Sequence, residues 1–165
     1  MNEAQRLVDL IPRLRRYARA LVNDHASADD LVQDTLERAW AKLHLYRRGT
    51  DLRAWLFTVM HNVHVNKVRS ARATDPLDDE MPELAQRAAQ GDSLVVRDLD
   101  RAIARLPDEQ RVVLLLVTLE EMSYDQVAHA LGIPIGTVMS RLSRAREKLR
   151  AMMLGQSAAK LKVVK

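Results

Sequence analysis

The chain has no cysteine and very few aromatic residues. Phenylalanine, tryptophan and tyrosine together make up 4% of its 165 residues. Without thiols the chain has no disulfide framework, no thiolate metal ligand and no cysteine nucleophile. No apolar run approaches the ~20 residues of a membrane-spanning helix, and the N-terminus lacks the apolar core of a signal peptide. These absences predict a cytoplasmic protein that does not insert into a membrane.

The usual sequence signs of an enzyme are missing as well. There is no glycine-rich phosphate loop, and the sequence offers no plausible Ser-His-Asp or Cys-His set. His61 and His64 share one predicted helix face, but no carboxylate or thiol stands beside them to complete a metal site. We therefore expect no catalytic residues, no metal and no cofactor.

The residues that are abundant favour helices. Hydrophobic residues make up 47% of the chain, and alanine, leucine, valine and arginine dominate. No β-hairpin signal occurs. The formal net charge of +4 gives a mild attraction to a polyanion. The composition thus predicts an all-α protein.

The charges divide the chain into segments. Residues 73–95 contain six carboxylates and one arginine, together with two prolines and a glycine, and they show no sustained apolar period. This composition predicts a flexible acidic linker. We therefore expect one small basic helical domain over residues 1–72, a second over residues 96–153, and a basic tail over residues 154–165.

The segment Ser123–Arg150 has the layout of a helix-turn-helix. Ser123 and Gln126 form an S-x-x-Q capping box that starts one helix. Gly132 stands where a helix ends in the left-handed conformation, and Pro134 cannot continue it. A tight turn between two helices is therefore predicted around these two residues.

The second helix of this pair has two faces. One stripe is apolar and predicted to be buried: Val138, Leu142, Ala145 and Leu149. Another stripe is polar and cationic: Thr137, Ser140, Arg141, Arg144 and Lys148. Short hydroxyls near the helix start, followed by arginines, suit base-edge and phosphate contacts in a major groove. The alternative is a surface hairpin whose basic face is merely solvated.

The N-terminal part predicts three amphipathic helices. The first runs near Glu3–Val22, where Pro12 is a candidate kink. The second is predicted to start at Ser27, whose hydroxyl can cap it with Asp30 three residues on. The third follows Asp51, a good N-cap.

Each of these helices has a predicted core stripe. The first comprises Leu7, Leu10, Ile11, Leu14, Ala18 and Leu21. The second comprises Leu31, Leu36, Ala39, Trp40 and Leu43. The third comprises Leu52, Trp55, Leu56, Val59 and Val63. Both tryptophans are therefore expected to pack in the core rather than stack on bases.

Three stretches together resemble a known family. DDLVQDTLERAWAKL, LRAWLFTVMHNVHVNKVRSAR and LPDEQRVVLLLVTLEEMSYDQVAHALGIPIGTVMSRLSRAREKLR follow, in order and spacing, the group IV (extracytoplasmic-function, ECF) sigma factors of bacterial RNA polymerase. The resemblance spans about Leu7 to Met153. It implies two helical domains, σ2 and σ4, in a protein that binds core polymerase and directs promoter-specific initiation. The implied partners are the polymerase β′ coiled coil and β flap, promoter DNA, and a small helical anti-sigma factor contacting both domains.

The resemblance also implies site residues. The surface matching the β′-binding helix comprises Asp30, Gln33, Asp34 and Arg38. The residues matching the −10 reader are Tyr46, Arg47, Arg48, Asn62, Asn66, Lys67, Arg69 and Arg72. Those matching the −35 reader are Pro134, Gly136, Thr137, Met139, Ser140, Arg141, Ser143, Arg144 and Lys148. The chain departs from relatives at two of these positions: Met139 stands where many relatives have a cationic residue, and Ser143 stands where some have an aromatic one.

Two other function classes fit parts of the pattern. A stand-alone helix-turn-helix regulator would need a ligand pocket or a dimerising helix in the N-terminal bundle, and the sequence shows neither. A sigma-like decoy that only binds an anti-sigma factor should have lost its DNA-facing residues, whereas Asn62, Arg69, Arg141 and Arg144 are present.

Overall fold

The computed structural model describes residues 2–74 and 94–163, and within these ranges it contains seven α-helices and no strand. The chain divides into two compact units, the first containing α1–α3 and the second containing α4, α5, the greater part of α6, and α7. The predicted all-α fold is confirmed. Residues 75–93, nearly all of the predicted acidic linker, lie outside the described residues, as do the last two residues of the predicted tail.

The first unit is a bundle of three helices. These are α1 (Glu3–Leu21), α2 (His25–Ala41) and α3 (Leu52–Thr74), with a short 3-10 turn at Leu43–Leu45. The middle helix α2 packs on both α1 and α3. The side of α2 that faces away from these two helices is exposed and carries Asp30, Gln33 and Arg38.

The centre of this bundle is aliphatic with one aromatic pair. The ring of Tyr17 meets the ring of Phe57 edge-on, with the centroids 5.1 Å apart. Around this pair lie side chains with almost no exposure: Leu14, Leu21, Leu31, Leu52, Leu56 and Met60. Tyr17, Phe57 and Met60 were absent from the predicted stripes. The core of α1 and α3 is otherwise close to the predicted one.

The start of α2 differs from the prediction. Asp24 caps the helix, accepting hydrogen bonds from the backbone N–H groups of Ala26 (3.3 Å) and Ser27 (3.2 Å). The Ser27 hydroxyl, predicted to be the cap, instead donates to the Asp24 carboxylate at 2.8 Å from inside the first turn. The side-chain hydrogen bond from Ser27, with its backbone N–H, lowers the pKa of Asp24. The prediction was wrong because an acidic cap three residues earlier displaces the serine.

The buried face of α2 also differs from the prediction. Its fully buried residues are Ala28, Leu31, Val32, Thr35 and Ala39. The side chain of Trp40, predicted to pack in the core, is 66% exposed. Thr35 can lie inside because its hydroxyl donates to the Leu31 carbonyl at 2.7 Å. A stripe centred on Thr35 turns Trp40 toward solvent.

The start of α3 confirms the predicted cap. The Asp51 carboxylate accepts a hydrogen bond from the Ala54 N–H at 3.2 Å. The backbone reaches Asp51 through Gly49, whose φ of +87° lies in the left-handed region. The turn before α3 is therefore closed by one glycine and one capping carboxylate.

The second unit contains three whole helices and the greater part of a fourth, α6. They are α4 (Leu94–Arg105), α5 (Asp108–Thr118), α6 (Tyr124–Leu131) and α7 (Ile135–Val163). The long helix α7 packs on both α5 and α4. Its buried residues Val138, Leu142 and Ala145 have at most 2% exposure, as the apolar stripe predicted.

The helix-turn-helix itself forms as predicted. The Gln126 N–H donates to the Ser123 hydroxyl at 3.1 Å, and the Ser123 N–H donates to the Gln126 side-chain oxygen at 2.9 Å. Gly132 has a φ of +65°, and the Ile133 N–H donates back to the Ala128 carbonyl at 3.1 Å. This closure of α6 is the left-handed glycine ending that satisfies its last carbonyls.

One arginine closes the end of α4. The guanidinium of Arg111, which belongs to α5, donates to the carbonyls of Ile103 (3.2 Å), Ala104 (3.1 Å) and Leu106 (2.6 Å). These carbonyls lie in the last turn of α4 and just beyond it, where helix acceptors lack intrahelical donors. Arg111 therefore fixes the corner between α4 and α5.

Candidate nucleic-acid interface

The first half of α7 presents a polar face opposite its buried stripe. Ser140, Ser143, Arg144 and Lys148 are exposed, whereas Thr137 is half-buried. Pro134 and Gly136 are also exposed where the helix begins. The buried stripe thus holds α7 in place while the hydroxyl and arginine side chains of the predicted −35 reader point into solvent. That arrangement suits entry of a helix N-terminus into a major groove.

Arg141 is the member of this set with a protein partner. Its Nη2 lies 3.7 Å from the Glu109 carboxylate of α5, and its side chain is only 26% exposed. The Glu109 side chain is 73% exposed, so water screens the pair, which contributes at most about 1 kcal/mol. A phosphate could therefore replace Glu109 as the partner of Arg141 at little cost.

The outer face of α3 presents a second polar row. Asn62, Asn66 and Arg69 are exposed at i, i+4 and i+7, and Arg72 is exposed one turn further on. Amide side chains one turn apart can hydrogen-bond base edges, and the arginines can hold phosphates. These four residues, which belong to the set predicted to read the −10 element, lie on one exposed face of α3.

Lys67, predicted to hold phosphate, is already in an ion-paired cluster. Its Nζ pairs with the Asp30 carboxylate and lies 2.6 Å from a carboxylate oxygen of Asp34. The hydrogen bonds that Lys67 donates to Asp30, and then to Asp34, raise the pKa of Lys67. The two acids, four residues apart on α2, would repel each other without a cation. Lys67 is that cation. A residue predicted to contact DNA therefore neutralises Asp30 and Asp34, which are predicted to contact polymerase.

A groove between α2 and α3 joins the two predicted surfaces. Its volume is about 450 Å³. It is lined by Asp34, Glu37, Arg38, Val63, Asn66, Lys67 and Ser70. Residues expected to contact polymerase therefore face residues expected to contact DNA across a single cleft within the first unit.

The loop before α3 differs in part from the expected exposed capture loop. Tyr46 is only 6% exposed, and its hydroxyl donates to the Thr50 carbonyl. Its ring lies against Trp55, with 5.5 Å between centroids. Tyr46 therefore braces the loop from inside in this conformation. Arg47, on the same loop, is exposed.

Arg48, on the same loop, is exposed but paired. Its Nε lies 2.8 Å from the Glu3 carboxylate of α1, while 85% of the arginine side chain remains accessible. An ion pair this exposed is weak. Arg48 is thus available to a phosphate with little loss of stability.

Two family descriptions match the two halves of the chain. Residues 7–61 match the Sigma2 domain of PhyR, and residues 97–149 match Sigma-70, region 4. The chain is 36% identical over 145 residues to the ECF RNA polymerase sigma factor EcfG of Rhodopseudomonas palustris, covering 87% of this chain and 80% of the relative. The chain belongs to the ECF sigma factor family. Members of this family bind core RNA polymerase and promoter DNA, and this sigma factor is a DNA-binding initiation factor.

Two further relatives support the assignment. The ECF sigma factor SigM of Mycobacterium tuberculosis is 35% identical, with 87% of this chain and 72% of the relative covered. The structure of the sigma factor RpoE in complex with the anti-sigma factor NepR, from Bartonella quintana, matches with a TM-score of 0.80. That match has 36% identity and covers 91% of this chain and 95% of RpoE.

The structure also brings together residues that sequence reasoning did not single out. A groove of about 390 Å³ between α6 and α7 of this ECF sigma factor is lined by Tyr124, Met139, Leu142, Ser143, Arg146, Glu147 and Arg150. Arg146 and Arg150 were not among the predicted DNA contacts. Their spacing of seven and eleven residues from Met139 was the available signal, because it places all three on one flank of a helix.

Two absences apply to the described parts of this sigma factor. In residues 2–74 and 94–163, no three histidine, aspartate or glutamate side chains are grouped in a way that could hold a metal ion. None of the helices in those ranges is long and apolar enough to span a bilayer.

Proposed function

We propose that this ECF sigma factor divides promoter recognition between α7 and α3. In this proposal α7 reads the −35 element with the nine residues from Pro134 to Lys148 named above. The observation that carries it is the two-faced geometry of α7, with Val138 and Leu142 buried while Ser140 and Arg144 face solvent. A helix held this way can present its outer side chains to base edges without disturbing its core.

In the same proposal, α3 and the loop before it read the −10 element. Asn62, Asn66, Arg69 and Arg72 form the exposed row that would follow a separated strand. Arg47 and Arg48 extend this surface, and Tyr46 would have to leave its buried position before it could stack on a base. Support comes from the exposure of the row and from the match to the σ2 family.

The polymerase surface in this proposal is the outer side of α2. Asp30, Gln33, Asp34 and Arg38 are at least partly exposed there, and Trp40 adds an exposed indole at the same helix. Aromatic and arginine side chains contribute disproportionately to protein interfaces. An arginine or lysine of the polymerase would compete with Lys67 for the two aspartates.

The domain boundaries remain those predicted from charge: residues 1–72 for σ2, 73–95 for the linker, 96–153 for σ4 and 154–165 for the tail. Support comes from α3, which ends at Thr74, and from α4, which begins at Leu94. The protein has no catalytic role in this proposal.

An anti-sigma factor is the proposed regulator. RpoE of Bartonella quintana, at 36% identity, is seen with the anti-sigma factor NepR. In this chain the N-terminal end of α4 has two exposed apolar side chains, Leu94 (68% exposed) and Val95 (62% exposed). Exposed apolar patches commonly mark protein-binding surfaces. Affinity purification of the chain from unstressed cells should recover a small helical partner, and Leu94→Ser with Val95→Ser should weaken its capture.

Transcription with purified core polymerase tests the function directly. The sigma factor is added to core enzyme on a library of genomic fragments, and the start sites are sequenced. We expect a shared pair of elements upstream of the starts, and no such starts with core enzyme alone. Start sites that share no element, or that do not require the added factor, would contradict promoter selection by this chain.

A further inference from the structure

Met139 is an exposed apolar side chain on the face of α7 that we assign to DNA. It is the fifth residue of the helix, and 52% of it is accessible. Its sequence neighbour Ser140 and the nearby Ser143 are exposed polar residues. A methionine in this position cannot donate a hydrogen bond to a base or neutralise a phosphate. Its only strong interaction is the burial of apolar surface.

If α7 enters a major groove as proposed, Met139 would lie near the floor of that groove. Met139 shares one flank of α7 with Arg146 and Arg150, and all three line the same cleft beside Tyr124. At a rise of ~1.5 Å per residue, the two arginines lie roughly 10 and 16 Å further along the helix axis. In a helix-turn-helix the first residues of the second helix reach base edges, and more distant cations meet the backbone. In the proposed docking, Met139 would therefore reach base edges, and the two arginines would reach phosphates.

The major groove offers one apolar group, the C5-methyl of thymine. Thymine presents this methyl group beside a single acceptor, O4, whereas the guanine, adenine and cytosine edges carry hydrogen-bond donors and acceptors and no methyl group, and Met139 would desolvate those polar groups without replacement. We propose that Met139 selects an A·T pair in the −35 element by packing its thioether against a thymine methyl group. The proposal rests on the assignment of α7 to the −35 element and adds the base preference at one position.

Removal of single methyl groups from DNA tests this contact. Holoenzyme is first used to select −35 sequences from a randomised library. Duplexes of the selected element are then made with each thymine of either strand replaced, one at a time, by uracil, which lacks only the methyl group. At one position we expect wild-type holoenzyme to lose about three- to fourfold in affinity, the factor corresponding to one buried methyl group. Met139→Leu should keep this discrimination, and Met139→Ala should bind the two duplexes equally.

The outcomes separate this proposal from the assignment of the helix. Equal wild-type affinity for thymine and uracil at every position would overturn it, as would a selected element without an A·T pair. A methyl effect that persists unchanged in Met139→Ala would also overturn it, because another residue would then make the contact. Arg144→Ala serves as the reference variant: if it loses affinity for the selected element while no methyl effect exists, α7 still reads the element and only the role of Met139 fails.

Discussion

Lys67 of α3 forms an ion pair with Asp34 of α2, with 2.6 Å between Nζ and a carboxylate oxygen. The same ammonium group also pairs with Asp30. The pairing ties the surface proposed for strand capture to the surface proposed for polymerase binding. A cation from the polymerase that takes the two carboxylates would release Lys67 toward the DNA.

Lys67→Met should lower the free energy of unfolding by an amount that depends on pH, and this amount measures how much the ion-paired cluster stabilises the fold. In the folded chain the pKa of Lys67 is raised above its ordinary value of 10.5, so the folded state binds this proton more tightly than the unfolded state does. The stabilisation is therefore complete below about pH 10.5 and declines as the pH rises through the raised pKa. Because the pair is partly exposed, we expect the Lys67→Met substitution to cost at most about 1 kcal/mol near neutrality. Urea unfolding of both proteins from about pH 8 to about pH 12 measures the difference.

The difference between the two proteins, rather than either curve alone, is the relevant quantity, since tyrosines and other lysines titrate in the same range. Lys67→Arg is the matched control and should keep most of the stabilisation past about pH 11, because guanidinium does not lose its proton there. A stability difference that stays constant across the whole range would show that the charge on Lys67 does not stabilise the fold.

Arg144→Ala should weaken binding to promoter DNA. Arg144 is exposed on the outer face of α7, and loss of a base contact or paired phosphate contact costs about 1–3 kcal/mol. Holoenzyme affinity for a native promoter fragment, measured at two salt concentrations, checks the size and the electrostatic share of the effect. The neighbouring Glu147→Gln is a surface control that should not reduce affinity. Full affinity in both Arg144→Ala and Arg141→Ala would remove α7 from the reading role.

Asn62→Ala combined with Asn66→Ala should impair strand opening and spare assembly. Both side chains are exposed and lie outside the core of the bundle, so the fold should tolerate the change. We expect normal affinity for core polymerase but less permanganate reactivity of unpaired thymines near the −10 element. Gln5→Ala, exposed on α1, serves as a control for unspecific surface effects. Normal opening by the double variant on native promoters would contradict the assignment of α3.

Arg111→Met should destabilise the second unit without touching its DNA face. Three backbone carbonyls at the end of α4 accept from this guanidinium, whose side chain is only 15% exposed. Partly buried acceptors left without a donor cost about 1–3 kcal/mol. Thermal unfolding should show the loss, and Arg111→Lys should recover little of it, because one ammonium cannot reproduce the planar fork. An unchanged melting temperature in Arg111→Met would mean that water replaces the guanidinium without cost.

The parts of the fold that the sequence predicted well are those governed by local rules. The capping box at Ser123 and the left-handed Gly132 depend on residues within one turn, and both form as expected. The apolar stripe of α7 was equally clear, because Val138 and Leu142 follow a regular period. Such features need no knowledge of what packs against them.

The errors arose where packing or competing polar groups decide the outcome. Trp40 was predicted to be buried because it fell on the predicted apolar stripe with Leu36 and Ala39. The buried stripe of α2 is instead centred on Thr35, whose hydroxyl donates a hydrogen bond to the Leu31 carbonyl. Ser27 was predicted to cap α2, but its hydroxyl donates a hydrogen bond to the carboxylate of Asp24, which is the actual cap. Lys67 looked free for phosphate because its partners, such as Asp30, lie on another helix 37 residues away along the chain. Ion pairs between residues on different helices produce no regular spacing in the sequence, so they could not be predicted from it.

The helix α7 continues well past its DNA-facing residues. It runs unbroken for 29 residues from Ile135 to Val163, which corresponds to a rod of roughly 43 Å. A rod of this length behaves as a lever arm, so a tilt of about 10° at one end swings the other by roughly 7 Å. Because Val138, Leu142 and Ala145 hold the first half of α7 in the second unit, the far end moves most when this half tilts, and a fluorophore near Val163 would report such a tilt as a larger displacement.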